Sequence, residues 1–219
     1  MTTESHHTAG TLTLTGEGQV RVKPDIATID LGVVTEAKTA QEAVAKNAEL
    51  MNQVLDKMKA LGIPTADLQT AGISISPIVD NQENSPTNGQ IVGFRVEDTL
   101  RVTAPVTLAG KVLDEAVGAG ANVAGRLIFG LRDETVFRNR AIQAAVKNAH
   151  ADAETLAQAM GVTLRGTTSV ELEFSRSLII ARSLLAAERA TPIEAGTVTV
   201  SASVRMVMKY DKPSGKSKG

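Results

Sequence analysis

His150, Asp152 and Glu154 fall within five residues, and His150 and Glu154 stand four apart, on one face of any helix that carries them. That spacing suits a two-ligand metal site, but no third ligand is evident nearby. A solvated ion pair therefore accounts for it better. Asp25 and Glu36 are a second candidate, since paired carboxylates serve as general acid and base where a cleft shifts their pKa values. Asp25 follows Pro24 and reads more simply as a turn former. Asp80 and Glu83 lie in an Asn-rich stretch with the composition of a calcium loop. The EF-hand pattern needs Gly sixth and Glu twelfth, and here those positions hold Ser85 and Ile91. His6-His7 reads as part of a solvated N-terminal arm.

Gly16-x-Gly18 lacks the third glycine of a dinucleotide fingerprint and leads into a strand pattern. A phosphate cradle needs a helix N-terminus behind it, so a β-bulge is the expected reading. Serine chemistry has no G-x-S-x-G elbow to use, and His150 is the single histidine outside the N-terminal pair. With no cysteine, disulfides and thiolate ligands are excluded. No catalytic, cofactor-binding or metal-binding residue is assigned, and no cofactor is expected.

Composition points the same way. The 219 residues carry a net charge of −1, which gives no field to attract nucleic acid. Aromatic residues make up 2%, too few for base-stacking platforms. No apolar run is long enough to span a bilayer. No charged n-region with an apolar h-region opens the chain, leaving a cytoplasmic protein or one whose leader has been removed.

Apolar residues alternate with polar ones along Thr11–Val22, bent or bulged at Gly16-Glu17-Gly18, and again along Ile26–Val34 after Pro24-Asp25. Thr39 and Glu42 form a capping box for a helix striped by Ala40, Ala43, Val44, Asn47, Leu50, Met51, Val54, Leu55, Met58 and Leu61 and closed by Gly62. Asn47 within the stripe reads as a helix-edge residue satisfied by water. Strands are expected over Leu68–Val79, stopped by Pro77, and over Gln90–Val106, joined by a hairpin loop at 80–89. Thr107 caps a short helix, Val123–Leu131 is a strand, and Asp133 caps a long helix ending at Gly161. One face of that helix holds Phe137, Ala141, Ala144, Ala145, Asn148, Ala149, Asp152, Ala153, Leu156 and Met160. So many alanines require a very close neighbour. Val162–Phe174 is a strand, 177–190 is ambiguous between helix and strand, and Ala195–Met208 alternates cleanly. The expected fold is α+β: a single domain with one mostly antiparallel sheet, helices on one face, and a split β-α-β (ferredoxin-like) core. Residues 1–10 form a flexible arm, 11–210 the domain and 211–219 a tail.

Five segments together resemble the SIMPL-domain family. They are residues 16–27 (GEGQVRVKPDIA), 67–77 (DLQTAGISISP), Gly93-Phe94-Arg95, the alanine-spaced stretch 145–161, and Thr191-Pro192-Ile193-Glu194-x-Gly196 with Val200, Ala202 and Val204. The resemblance spans about residues 11–210. Phe94 stands where the family often has Tyr, and Asn148-Ala149-His150 replaces a more basic run. The resemblance implies a periplasmic or cell-envelope protein without catalysis that self-assembles into a ring-, barrel- or channel-like homo-oligomer. Contacts are expected through 177–190 and the loop 80–89. The alternative is a monomeric or dimeric adaptor, or a binding module for another protein or a small ligand. Neither reading involves nucleic acid.

Overall fold

The computed structural model describes residues 9–177, 179–181 and 194–211. In chain order the elements are β1 (Ala9–Val22), β2 (Ile26–Ala37), α1 (Ala40–Ala60), β3 (Leu68–Val79), β4 (Ile91–Pro105), α2 (Ala109–Gly118), β5 (Val123–Gly130), α3 (Thr135–Met160), β6 (Thr163–Ser177), β7 (Ile179–Ala181) and β8 (Val198–Asp211). The fold is α+β and every strand pairing is antiparallel. The strands divide between two sheets, ordered β1-β8-β6 and β3-β4-β2-β5-β7, where the sequence suggested one. Alternation reports which face of a strand is buried, not which strand lies beside it. Pro24 and Asp25 end β1, and its partner comes from the far end of the chain. The described residues form two compact units.

The first unit holds β1, α3, β6 and β8. β1 pairs with β8 from Ala9↔Asp211 to Val22↔Val198 without a register shift. The strand is one continuous element, and the expected bulge at Gly16-Glu17-Gly18 is absent. The glycines are explained by α3. A Cβ on Gly16 would meet the Ala145 carbonyl oxygen and the Ala149 nitrogen, and one on Gly18 the Ala141 carbonyl oxygen and the Ala145 nitrogen. The helix backbone rests directly on the strand. Its matching surface is Ala141, Ala145, Ala149, Ala153 and Ala157, all buried. Asn148, Asp152, Leu156 and Met160 are exposed, because a contact this close admits only a narrow four-residue repeat. The Asn148 side-chain amide donates to the Glu17 carbonyl at 2.7 Å. Val198, Val200, Ala202, Val204, Met206 and Met208 are all buried, as their alternation requires.

The second unit contains β2 to β5, α1, α2 and β7. Its β-α-β-β-α-β run gives the spatial order β3-β4-β2-β5. The two strands of each β-α-β unit are thus separated by one strand of the other, which is the split connection. Ile29, Leu31 and Val33 of β2 pack with Met51, Val54 and Met58 of α1, Val112 and Ala116 of α2, Val102 of β4 and Phe129 of β5. Thr39 caps α1 by accepting from the Glu42 amide at 3.2 Å, and Gly62 follows the helix with φ +81°. Thr107 does not cap α2. It lies in a 3-10 turn, Val106–Leu108, that leads into a helix with no side-chain cap.

Asn47 is 3% exposed, not a wet helix edge. Its amide donates to the Val33 carbonyl at 2.8 Å and the Val96 carbonyl at 3.4 Å. Thr35 donates to the Ala43 carbonyl at 2.8 Å. These bonds fix α1 over β2 and β4.

Candidate functional site

His150, Asp152 and Glu154 are exposed on α3, turned away from its buried alanines. Among the described residues no three His, Cys, Asp or Glu side chains converge as a metal site would require. Asp25 accepts from the Arg132 amide at 2.8 Å, tying down a turn. Glu36 pairs with Arg95 at 2.6 Å. Asp25 and Glu36 sit at opposite ends of β2, roughly 35 Å apart at ~3.3 Å per residue, so they do not form an acid–base pair. The Asp80 carboxylate accepts from the Ser85 and Thr87 hydroxyls and the Gln82 amide. These bonds hold its pKa below the usual carboxylate value and use it to shape the hairpin. Gly16 and Gly18 lie beneath the middle of α3, not before a helix N-terminus, which removes the phosphate reading. His6 and His7 lie outside the described residues.

The structure gathers instead open strand edges with apolar side chains. β3 borders its sheet, and every residue from Gln69 to Pro77 is exposed. Ile73 and Ile75, whose alternation marks the strand, are 64% and 52% exposed. They stand opposite Asp98 and Val96, on the face that α1 covers at β4, but α1 packs on β2 and β4 and stops short of β3. Pro77 does not stop the strand, which continues to Val79. It pairs opposite Phe94 in an edge strand, where proline is tolerated. That proline was the sequence signal of an edge.

β6 borders the other sheet. Val170, Leu172 and Phe174 are exposed there and stand opposite the buried Met206, Val204 and Ala202. Their side of the sheet is the one α3 covers, but the helix lies mainly over β1 and β8. The Arg138 guanidinium sits 4.0 Å above the Phe174 ring. With Glu134, Ser175 and Val200 they line a shallow depression of ≈ 270 Å³. Of the segment 177–190, Ile179–Ala181 is a short strand paired with β5. Residues 178 and 182–190, including Leu184 and Leu185, lie outside the described residues.

Asp98 lies beside this β3 edge, in register with Val33 and Ile73. Its Oδ1 is buried without a hydrogen-bond partner. Burial pushes its carboxyl above the usual 3.8, and the Thr99 amide offsets only part of this. A raised folded pKa means that protonation stabilises the fold. The stabilisation is complete below 3.8 and is lost as the pH rises through the folded value. Asp98→Asn is accordingly expected to raise Tm at pH 7, and the gain should shrink as the pH falls toward 3.8. Thermal melts across that range check it, and a lower Tm for Asp98→Asn at pH 7 contradicts it.

Residues 12–208 match the SIMPL family, described as a protein of unknown function (DUF541). The chain belongs to the SIMPL family. This SIMPL chain is 39% identical over 210 residues to the 26 kDa periplasmic immunogenic protein of Brucella melitensis biotype 1, an alignment covering 90% of this chain and 84% of that one. It is 31% identical over 161 residues to the uncharacterised protein YggE of Edwardsiella ictaluri, covering 73% and 66%. The YggE of Escherichia coli K12 is 27% identical over a stretch of the same length. Neither the family description nor these names indicate catalysis. Among the described residues no helix of the SIMPL chain is long and apolar enough to cross a membrane.

Proposed function

We propose that this chain is a non-enzymatic protein of the periplasm or cell envelope that assembles with copies of itself into a closed ring-, barrel- or channel-like particle. The observation that carries the reading is the pair of sheet borders, β3 and β6, that no strand among the described residues covers, each presenting apolar side chains to solvent. A long open edge with an apolar row is a hazard unless another chain covers it. Identical chains that cover one another without closing form fibres, so closed symmetry is the stable outcome. Asp25 and Asp80 are engaged in holding turns and Glu36 in an ion pair, which supports a structural role. The periplasmic name of the Brucella relative supports the location.

Light scattering on the purified chain tests the assembly. A particle several times the 22.9 kDa chain mass is expected, its mass constant over about a tenfold dilution if the particle is closed. A monomer at all concentrations overturns the reading and leaves the adaptor.

A further inference from the structure

We propose that β3 is the strand through which two copies of this chain join, pairing antiparallel with its own counterpart about a two-fold axis at Ser74. The inference rests on the self-assembly reading and names one of its contacts.

Its first support is charge. Leu68–Val79 contains no ionisable side chain, so two copies laid antiparallel bring no like charges together. The β6 border behaves differently. Antiparallel self-pairing about Leu172 would set Glu171 opposite Glu173 of the other copy, and like charges directly opposite destabilise a sheet. The exposed residues of β1 between Thr11 and Arg21 are Thr11, Thr13, Thr15, Glu17, Gln19 and Arg21, which offer no apolar row. β7 is only three residues long.

The second support is register. β3 is irregular against β4 between Thr70 and Gly72, and Pro77 has no N–H to give an incoming strand. Between these interruptions lie five regular residues, Gly72 to Ser76, with Ser74 at their centre. Pairing that window with itself sets Ser74 against Ser74 and each Ile73 against an Ile75 of the second copy. Four isoleucines then meet on one face, as β-branched cross-strand pairs that favour sheet formation. On the other face Ser76 meets Gly72, whose missing side chain would touch nothing within 4 Å in the isolated chain. The ladder is short beside the roughly 1,200–2,000 Å² of stable complexes, which fits one contact among several in a larger closed particle.

The chain has no cysteine, so Ser74→Cys carries a single thiol. Residues on the axis of an antiparallel pair have Cα atoms about 4.5–5.5 Å apart, within the ~4.4–6.8 Å that a disulfide bridges. Ser76→Cys, on the same face of the same strand, sits four residues out of register with its counterpart, roughly 13 Å away. Under mild oxidation Ser74→Cys is expected to give at least about ten times the covalent dimer of Ser76→Cys. Equal yields, or none from Ser74→Cys, while the parent scatters light as an oligomer, overturn the β3 contact and leave self-assembly standing. A parent that is monomeric and an uncross-linked Ser74→Cys variant overturn both.

Discussion

Gly18→Ala should lower the melting temperature sharply, although it adds one methyl group. The added Cβ would meet the Ala141 carbonyl oxygen and the Ala145 nitrogen. Both are backbone atoms of α3, so no side-chain rotation relieves the overlap and the helix must lift from β1. Overpacking of this kind costs about 1–3 kcal/mol, and more where the neighbour cannot yield. At the upper end of that range, about 3 kcal/mol, and ~2–4 °C per kcal/mol for a chain of this size, a fall of roughly 6–12 °C is expected. Gly16→Ala should behave alike, and Ala149→Glu should do worse by forcing a charge into the same seam. Gly118→Ala is the control. Gly118 is the last residue of α2 and an added Cβ there meets nothing within 4 Å, so its Tm should hold or rise. If Gly18→Ala and Gly118→Ala melt alike, the close approach of helix and strand is wrong.

The same seam shows what the sequence made legible and what it did not. The alanine repeat of α3 announced a tight neighbour, because side chains of that size are selected where a backbone comes near. The neighbour itself was hidden. Gly16 and Gly18 lie over a hundred residues from those alanines, and a glycine in a strand signals a bulge as readily as a close approach. The buried face of β8 was legible through to Met208, since alternation with one face covered is a local property. The split into two sheets was not, because strand neighbours are set by tertiary pairing. The exposure of Ile73 and Ile75 was hidden for a related reason. Their alternation is that of a half-buried strand, but the helix that would bury them ends its cover at β4. Asn47 misled in the opposite sense. A polar residue in an apolar stripe looks like an edge position until the Val33 and Val96 carbonyls are seen pointing at it.

In the sequence His150–Glu154 lacked a third ligand, Asp25–Glu36 a cleft, and the Asp80 loop the Gly and Glu of an EF-hand; the structure spends Asp25, Glu36 and Asp80 on turns and an ion pair. The surfaces that remain are borders of sheets. Pro77 was visible in the sequence as a mark of such a border. Which side of β3 lies open depends on where α1 ends its cover, and no local pattern encodes that.

Val54→Asp should be the most damaging single change in the second unit. Val54 is fully buried, in the cluster that includes Met51, Met58, Leu31 and Val102. A carboxylate there has no cation to pair with among the residues of that cluster. An isolated buried charge costs several kcal/mol, a large fraction of the ~5–15 kcal/mol that holds an ordinary domain. The folded protein would therefore keep the aspartate protonated, and its pKa would rise. The sign follows from linkage. The unfolded chain releases the proton at an ordinary carboxylate pKa and the folded chain only at a higher one, so the variant loses stability with rising pH between the two. Val54→Asp should be largely unfolded at neutral pH and recover part of its helical signal on mild acidification. Val54→Asn, equally polar but without a charge, should be destabilised by a similar amount at both pH values. Circular dichroism melts of the two variants at pH 7 and near pH 5 decide the matter. If Val54→Asp melts like the parent at pH 7, the face of α1 assigned to the core is wrong. If the aspartate and asparagine variants show the same pH response, the loss comes from lost packing and not from a buried charge.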